Sequence, residues 1–380
     1  MKVKLGDVCE INPKGDKLSD DTQVSFIPMQ NITDDGKIDS SIIRTVEEVK
    51  KGFTSFREND VLFAKIMPCM ENGKGAIARN LKNGLGFGST EFHVLRPSSS
   101  ATSEWLYYLL SWPVFRKECE KNMTGSAGQK RVPKTFLENY MVNVPHLDEQ
   151  RRIAAVLDKV SDLITKRWEQ LDKLDELVKA RFVEMFGDPS ANSHWSTHKL
   201  SELGELNRGI SKHRPRNDPK LLGGSYPLIQ TGDVSNSGLY IQNYSATYSE
   251  FGLAQSRLWK KGTLCITIAA NIAQTSILAF DACFPDSVVG FLPGGKTNVV
   301  FVHYWFSFFQ KILEEQAPQV AQKNINLKIL SDLDVIVPPY HLQEDFSNFV
   351  GRIENCKLTI QHSLDTIETL KKALMQEYFG

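Results

Sequence analysis

Apolar residues along the chain fall into two rhythms. After Pro145 they sit at Ile153, Leu157, Val160, Ile164, Leu171, Leu174, Val178 and Met185, spaced by alternating fours and threes with gaps at Arg167 and Arg181. A second run keeps the same rhythm at Phe346, Phe349, Ile353, Cys356, Ile360, Ile367, Leu370 and Leu374, with Ser363 in its gap. Neither run contains an interior proline, and Gly187 and Gly380 stand where a helix would stop. The pattern predicts two long helices with a coiled-coil seam, each of about 38 residues and roughly 57 Å long at 1.5 Å per residue. The other rhythm belongs to the segments ahead of each helix. There, short β-branched or apolar runs bounded by Gly, Pro and Asn read as strands at Val61–Ile66, Glu91–Leu95, Leu264–Ile268 and Ser276–Phe280. Trp105–Lys121 and Val302–Glu315 read as aromatic helices packed on a sheet.

These features occur twice because the chain is an internal duplication. Lys4–Asn12 (KLGDVCEIN) recurs as Lys199–Asn207 (KLSELGELN), and Leu177–Gly187 (LVKARFVEMFG) as Leu370–Gly380 (LKKALMQEYFG). Between these ends Phe26–Gln30 corresponds to Tyr226–Gln230, Val61–Ile66 to Thr263–Ile268, and Gly128–Arg131 to Ala321–Asn324. Each half is therefore a mixed globular block followed by its own helix. The expected fold is α+β: two mixed α/β domains separated by two long antiparallel coiled-coil helices, related by a pseudo-twofold axis. The expected boundaries are 1–147 and 188–341 for the globular domains, and 148–187 and 342–380 for the helices.

At the start of the first helix Pro145, Leu147, Glu149, Gln150, Ile153 and Leu157 form a P-x-L-x-E-Q-x-x-I-x-x-x-L pattern, and Phe182–Gly187 (FVEMFG) closes the helix. With these motifs, and over its whole length, the chain resembles the specificity subunits of type I restriction–modification systems. The resemblance implies two target-recognition domains alternating with two long helices, and no catalysis by the chain itself. It implies a bipartite double-stranded DNA target, one half per domain, with an unread spacer set by the helices. Half-sites about one helical turn apart, roughly 34–36 Å, suit a rod of this length. The implied partners are adenine-methyltransferase (modification) subunits and the restriction/motor subunit, docked on the helices, with no cofactor and no small-molecule substrate. The second copy departs from the motif, since Leu342-Gln343-Glu344-Asp345 stands where the first has Leu147-Asp148-Glu149-Gln150. Equal partner contact at both junctions is therefore not expected.

Composition narrows the electrostatics. In 380 residues, 45 Lys+Arg balance 45 Asp+Glu, which excludes a uniformly basic nucleic-acid coat and a polybasic membrane anchor. Any DNA contact must come from local patches, and the isolated chain is expected to bind DNA weakly. No apolar stretch reaches the length of a membrane span, and the N-terminus lacks a signal-peptide core, so a cytoplasmic protein is expected. Six scattered cysteines without a CxxC pair fit reduced thiols better than disulfides or zinc.

Local patches supply the candidate DNA contacts. The loop from Arg208 to Lys220 carries Arg208, Lys212, Arg214, Arg216 and Lys220 against one acid, Asp218, with Pro215 and Pro219 keeping it irregular. It suits phosphate contact, with a solvated surface loop as the alternative. Gln129-Lys130-Arg131 and Gln322-Lys323-Asn324 recur at matched positions, and Gln, Arg and Asn are side chains that read base edges. Because domains with different targets should differ where bases are read, this recurrence favours phosphate positioning or a structural turn. The divergent loops Lys65–Lys74 and Thr267–Gln274 are better places to seek base reading, with Asn72, Lys74, Asn271 and Gln274 as candidates.

Other motifs weigh less. Gly290–Thr297 (GFLPGGKT) fits the phosphate-loop formula, but the first half makes the same connection without Gly-Lys, so it reads as a Gly-rich turn. Val337-Pro338-Pro339-Tyr340 lacks the Asn or Asp that an amino-methyltransferase motif needs, and reads as a rigid junction. His194 and His198 have metal-ligand spacing without supporting residues, so no metal is expected. A different class stays open: a pseudo-symmetric scaffold that keeps the helices without reading DNA.

Overall fold

In the computed structural model, which describes residues 2–126, 128–189, 194–269, 272–308 and 325–380, the chain forms two units. One comprises Met1–Trp168 with Gln361–Gly380; the other is Glu169–Ile360.

In the first unit a four-stranded antiparallel sheet has the order Cys9–Ile11, Phe92–Pro97, Val61–Ala64, Gly75–Ile77. Val61–Ala64 (VLFA) is buried at every position because both faces of this sheet are covered. Alternate side chains point to opposite sides. Leu62, Phe92 and Val94 share a core with Ile27 and Phe56 of a second, mixed sheet, ordered Ile42–Thr45, Gln23–Ile27, Leu85–Gly88, Thr54–Arg57. Val61, Phe63 and Leu95 face Trp105, Leu106 and Leu109 of the helix Ser103–Ser111. That helix ends at Trp112, and a separate one begins at Pro113–Lys121, so the single helix expected over Trp105–Lys121 is broken. The cause is Pro113, which lacks an amide hydrogen and forces Trp112 into extended backbone (φ −63°, ψ 124°).

The second unit repeats the plan. Gly204–Arg208, Val288–Pro293, Leu264–Thr267 and Thr275–Leu278 stand in the same order, extended by Tyr240–Ile241. Leu264, Ile266 and Phe291 face Phe301 and Trp305 of the helix Val299–Phe306; Cys265 faces Trp259 and Phe284 on the other side. The remainder of the helix expected to Glu315 lies outside the described residues from 309 onward. A two-stranded antiparallel pair also recurs, Lys2–Lys4 with Met141–Asn143 and Thr197–Lys199 with Asp334–Ile336.

The long helices span Leu147–Phe186 and Tyr340–Phe379, and each begins in one unit and ends in the other. Ile153, Ala154 and Leu157 near the start of the first share a core with Leu374, Met375, Tyr378 and Phe379 at the end of the second. In the other unit Val178, Phe182 and Phe186 share a core with Phe346, Val350 and Ile353. Start packs with end in both, so the helices run antiparallel. Phe182 has its ring centroid 5.4 Å from both Phe301 and Phe346, which joins the two helices and the domain in one aromatic cluster. Lys357 of the second helix bridges Asp175 of the first.

The seam differs from the expected one. Ile153, Leu157, Val160, Val178, Phe346 and Ile353 are buried, and Ile164, Leu171, Leu174, Ile360, Ile367 and Leu374 are half-buried. Leu370 is 49% exposed, a correction, while Leu364 and Met375 are buried in its place. A straight helix drifts about 20° per heptad from a strict 3.5-residue repeat, so counting threes and fours walks off the buried face. That face passes through Lys371, whose ammonium is partly desolvated and held below its usual range. Among the described residues no helix is long and apolar enough to cross a membrane.

One polar contact fixes each domain to its helix. Gln150 is fully buried; its Oε1 accepts from Thr102 N at 2.8 Å, and its Nε2 donates to the carbonyls of Ser100 (2.8 Å) and Pro145 (2.9 Å). Gln343, equally buried, accepts from Asn298 N at 2.9 Å and Thr297 Oγ1 at 3.1 Å, and donates to Pro338 O at 2.8 Å and Lys296 O at 3.2 Å. The second copy therefore keeps this glutamine in the same role. The departure read from Leu342–Asp345 is a frame error: Gln343, not Asp345, answers Gln150. The same contacts fall on Lys296–Asn298; of the stretch Gly290–Thr297 read as a turn, Gly290–Pro293 is strand and only residues 294–297 form the Gly-rich connection to the helix.

Two measurements check this packing. Phe182→Ala should cost about 3–5 kcal/mol, whereas Leu370→Ala should stay within about 0.5 kcal/mol, in urea unfolding of each variant. Equal losses would contradict the assigned face. Burial, aided by the Lys357 ammonium, holds the His303 imidazole at about 4 against an ordinary 6.5. The unfolded chain takes the proton first, so this group's contribution is complete above about pH 6.5 and is lost as pH falls toward about 4. His303→Gln should flatten the fall in stability over that window, and a fall as steep as the parent's would contradict the assignment.

Candidate nucleic-acid interface

Strand direction decides which loops meet. In the first unit Ile11 pairs with Leu95, Ala64 with Phe92, and Phe63 with Gly75. Segments 12–18, 65–74 and 89–91 therefore emerge at one end of the central sheet. Residues 128–132 are stitched to them, with Val132 N donating to Lys65 O (2.9 Å) and Met67 N to Lys130 O (3.2 Å). Buried His93 ties the group together: its Nε2 donates to Val132 O at 2.8 Å and its Nδ1 accepts from Asn12 Nδ2 at 3.0 Å. Burial holds this imidazole below its ordinary range, in the neutral form that such a pairing needs.

The second unit repeats the arrangement. Arg208 pairs with Val289, Thr267 with Val288, and Ile266 with Thr275. The segments 209–220, 268–269, 272–274 and 284–287 consequently share one end of the sheet, and Ile268 N donates to Ser287 O at 3.0 Å. The Gln150 and Gln343 contacts lie at the opposite ends of their sheets, beyond Pro97 and Pro293.

The candidate residues divide by what they already hold. Gln129 and Lys130 are exposed at the tip of their turn. Arg131 is engaged: Nε and NH2 each donate to Glu91 at 2.9 Å, and NH1 donates to Gln129 O at 2.9 Å. This hydrogen-bonded guanidinium holds the Glu91 carboxyl below the usual carboxylate range. Lys74 Nζ donates to Ile32 O at 2.8 Å, which makes it a tether between loops. Asn72 is exposed, in a cleft it shares with Tyr107, Lys117 and Lys371. Its loop is pinned from beneath by buried Arg116, which donates to Met70 O at 2.6 Å and Gly73 O at 2.9 Å.

In the second unit Arg208 at the strand end, and Lys212, Arg214 and Arg216 on the loop that follows it, are all exposed. Lys212 N and His213 N both donate to Gln255 Oε1, at 2.6 and 3.0 Å, so the loop is braced at these two residues. Gln274 is exposed, with its backbone N donating to Thr267 Oγ1 at 3.0 Å. Asn271, Gln322, Lys323 and Asn324 lie outside the described residues. His198 faces Glu202 at 3.3 Å and His194 rests on Trp195 with ring centroids 4.2 Å apart, so the two histidines have separate partners.

Sequence reasoning passed over three cations at the same end of the first sheet. Lys14 and Lys17 are exposed on the loop after Ile11, and Lys65 is half-buried beside Glu91. Arg57 pairs with Asp16 of that loop, and Arg96 grips buried Asp60 through two bonds of 2.8 and 2.7 Å. The signal was available, because the Lys4–Asn12 repeat places 12–18 opposite the arginine loop after Asn207. What results in each unit is a set of braced loops that present exposed amides and cations, the side chains that contact phosphates and base edges.

The comparisons with known proteins agree with this geometry. The model of the family described as "Type I restriction modification DNA specificity domain" matches residues 1–175 and 192–369. The chain is 44% identical over 181 residues to the type I restriction enzyme EcoAI specificity subunit of Escherichia coli, covering 45% of this chain and 30% of that protein. It is 40% identical over 184 residues to the EcoEI specificity subunit of the same organism, covering 47% and 31% respectively. These matches thus span about a third of those proteins. A solved chain from a study of assembly and conformational transition in the type I R-M system resembles it in fold, with TM-score 0.61, 18% identity, and 100% and 97% of the two chains covered. The type I restriction-modification S subunit from M. genitalium gives TM-score 0.54 and 16% identity over 100% and 96%. With two matched regions laid over two units that repeat one sheet order, the chain belongs to the type I restriction-modification DNA specificity family.

Proposed function

We propose that the chain is the noncatalytic specificity subunit of a methyltransferase–restriction complex and reads a bipartite, gapped double-stranded DNA target. The domains 1–147 and 188–341 each read one half-site. The helices, 148–187 and 342–380, set the unread gap and carry the modification and restriction subunits. The carrying observation is the repetition itself: both units present braced, cation-bearing loops at the same end of the same sheet, with a buried glutamine fixing the other end to a long helix. Exposed apolar side chains along the helices support docking of partners there, Leu163 and Trp168 in the first unit, and Leu177, Val183 and Leu358 in the second. Balanced charge supports weak DNA binding by the chain alone, with partners closing around the duplex.

The test is a single-base map of adenine methylation in host DNA with and without the gene, with the modification subunit expressed in both. Loss of one two-part motif with a constant gap is expected. An unchanged map would overturn the reading.

A further inference from the structure

The arginine loop of the second unit is organised around one acid. Arg216 pairs with a carboxylate oxygen of Asp286, and the Arg214 guanidinium, whose NH1 donates to Ser211 O at 2.7 Å and His213 O at 2.8 Å, lies 3.8 Å from the other. Arg208 donates through Nε and NH2 to the backbone carbonyl of the same residue, at 2.9 and 2.7 Å. Asp286 therefore meets three arginines, while the loop's own acid, Asp218, is occupied by His213 Nε2 at 2.8 Å and Lys220 N at 3.0 Å.

The support beneath Asp286 is rigid. Two residues before it, fully buried Phe284 stacks on Trp259 at 4.8 Å, and Arg257 covers the Trp259 ring at 3.9 Å. Val288 N closes the turn onto Pro285 O at 3.0 Å. The loop is pressed against this turn: a Cβ on Gly209 would stand 2.3 Å from the carbonyl oxygens of both Phe284 and Pro285. Ser256 Oγ, bonded to Ile210 O at 2.8 Å, closes the other side.

An acid among DNA-facing arginines opposes phosphate binding by simple charge. Its placement is useful for a different purpose. Arginine side chains lose much rotamer freedom when they bind, and a guanidinium already held in one orientation loses less. We propose that Asp286 is a positioning residue for sequence reading by the second domain: it gives up nonspecific phosphate attraction and in return aims Arg216, beside Arg214, at its half-site. The inference rests on the reading of this loop as a DNA contact.

The test uses the assembled complex with its modification subunits and three duplexes: one with the mapped motif, one with its second half-site scrambled, and one with its first scrambled. Asp286→Asn keeps the shape and the Arg208–carbonyl contact while removing the carboxylate charge. The expected result is tighter binding to the duplex scrambled in the second half-site and an about tenfold smaller preference for the motif over it, the size of one good base contact. Discrimination at the first half-site should not change. Asp286→Glu, which restores the charge, should move the preference back toward the parent value, and thermal unfolding of both variants reports whether the fold is intact. Equal tightening on all three duplexes, with every preference unchanged, would reduce Asp286 to a bystander charge and overturn the proposal while leaving the loop as a DNA contact. If Arg214→Ala and Arg216→Ala bind all three duplexes as the parent does, the DNA reading of the loop fails, and the proposal with it.

Discussion

Everything in the molecule depends on each unit burying the beginning of one long helix against the end of the other. The aromatic cluster of Phe182, Phe186, Phe301 and Phe346 is formed by residues from three distant parts of the sequence, and its counterpart of Trp105, Trp112 and Phe379 by residues from two. Rings of this size dominate the apolar surface removed from water, so neither domain closes its core without both helices.

The glutamine contacts convert that packing into geometry. A buried amide with all its polar atoms satisfied is costly to displace, and Gln150 and Gln343 each join the first turns of a helix to the loop that starts a domain helix. The sheet end that faces this joint is fixed, and the loops at the opposite end inherit their positions through rigid strands. Arg131 with Glu91, Arg116 beneath Met70 and Gly73, and Asp286 among three arginines continue the same logic outward: side chains near the candidate interface are held by partners before any ligand arrives.

Much of this was legible in the sequence because duplication prints every feature twice. The two helices and the strands at Val61–Ala64 and Leu264–Thr267 follow from matched segments, whereas the meeting of the candidate loops at one sheet end follows from strand pairing that only the fold supplies. Periodicity failed where it was counted too strictly, at Leu370, and where a local breaker outweighed an apolar run, at Pro113. Alignment by motif spelling misplaced Gln343, since what repeats is a buried amide three residues into the helix and not the order of its acidic neighbours. Residue type alone also could not separate a reader from a brace. Lys130 is free at a turn tip, while Lys74 and Arg131, equally cationic, are committed to Ile32 and Glu91 by contacts that only the folded chain creates.

Hydrogen exchange on a chain ending at Ile360 tests the central claim most directly, because residues Gln361–Gly380 belong to the first unit although they follow the second in sequence. Removing them should strip protection from Val61–Ala64, Phe92–Pro97 and Ser103–Ser111 while Leu264–Thr267 and Val288–Pro293 keep theirs. Unchanged protection in the first unit, or loss confined to the second, would contradict the exchange of helix ends on which the account is built.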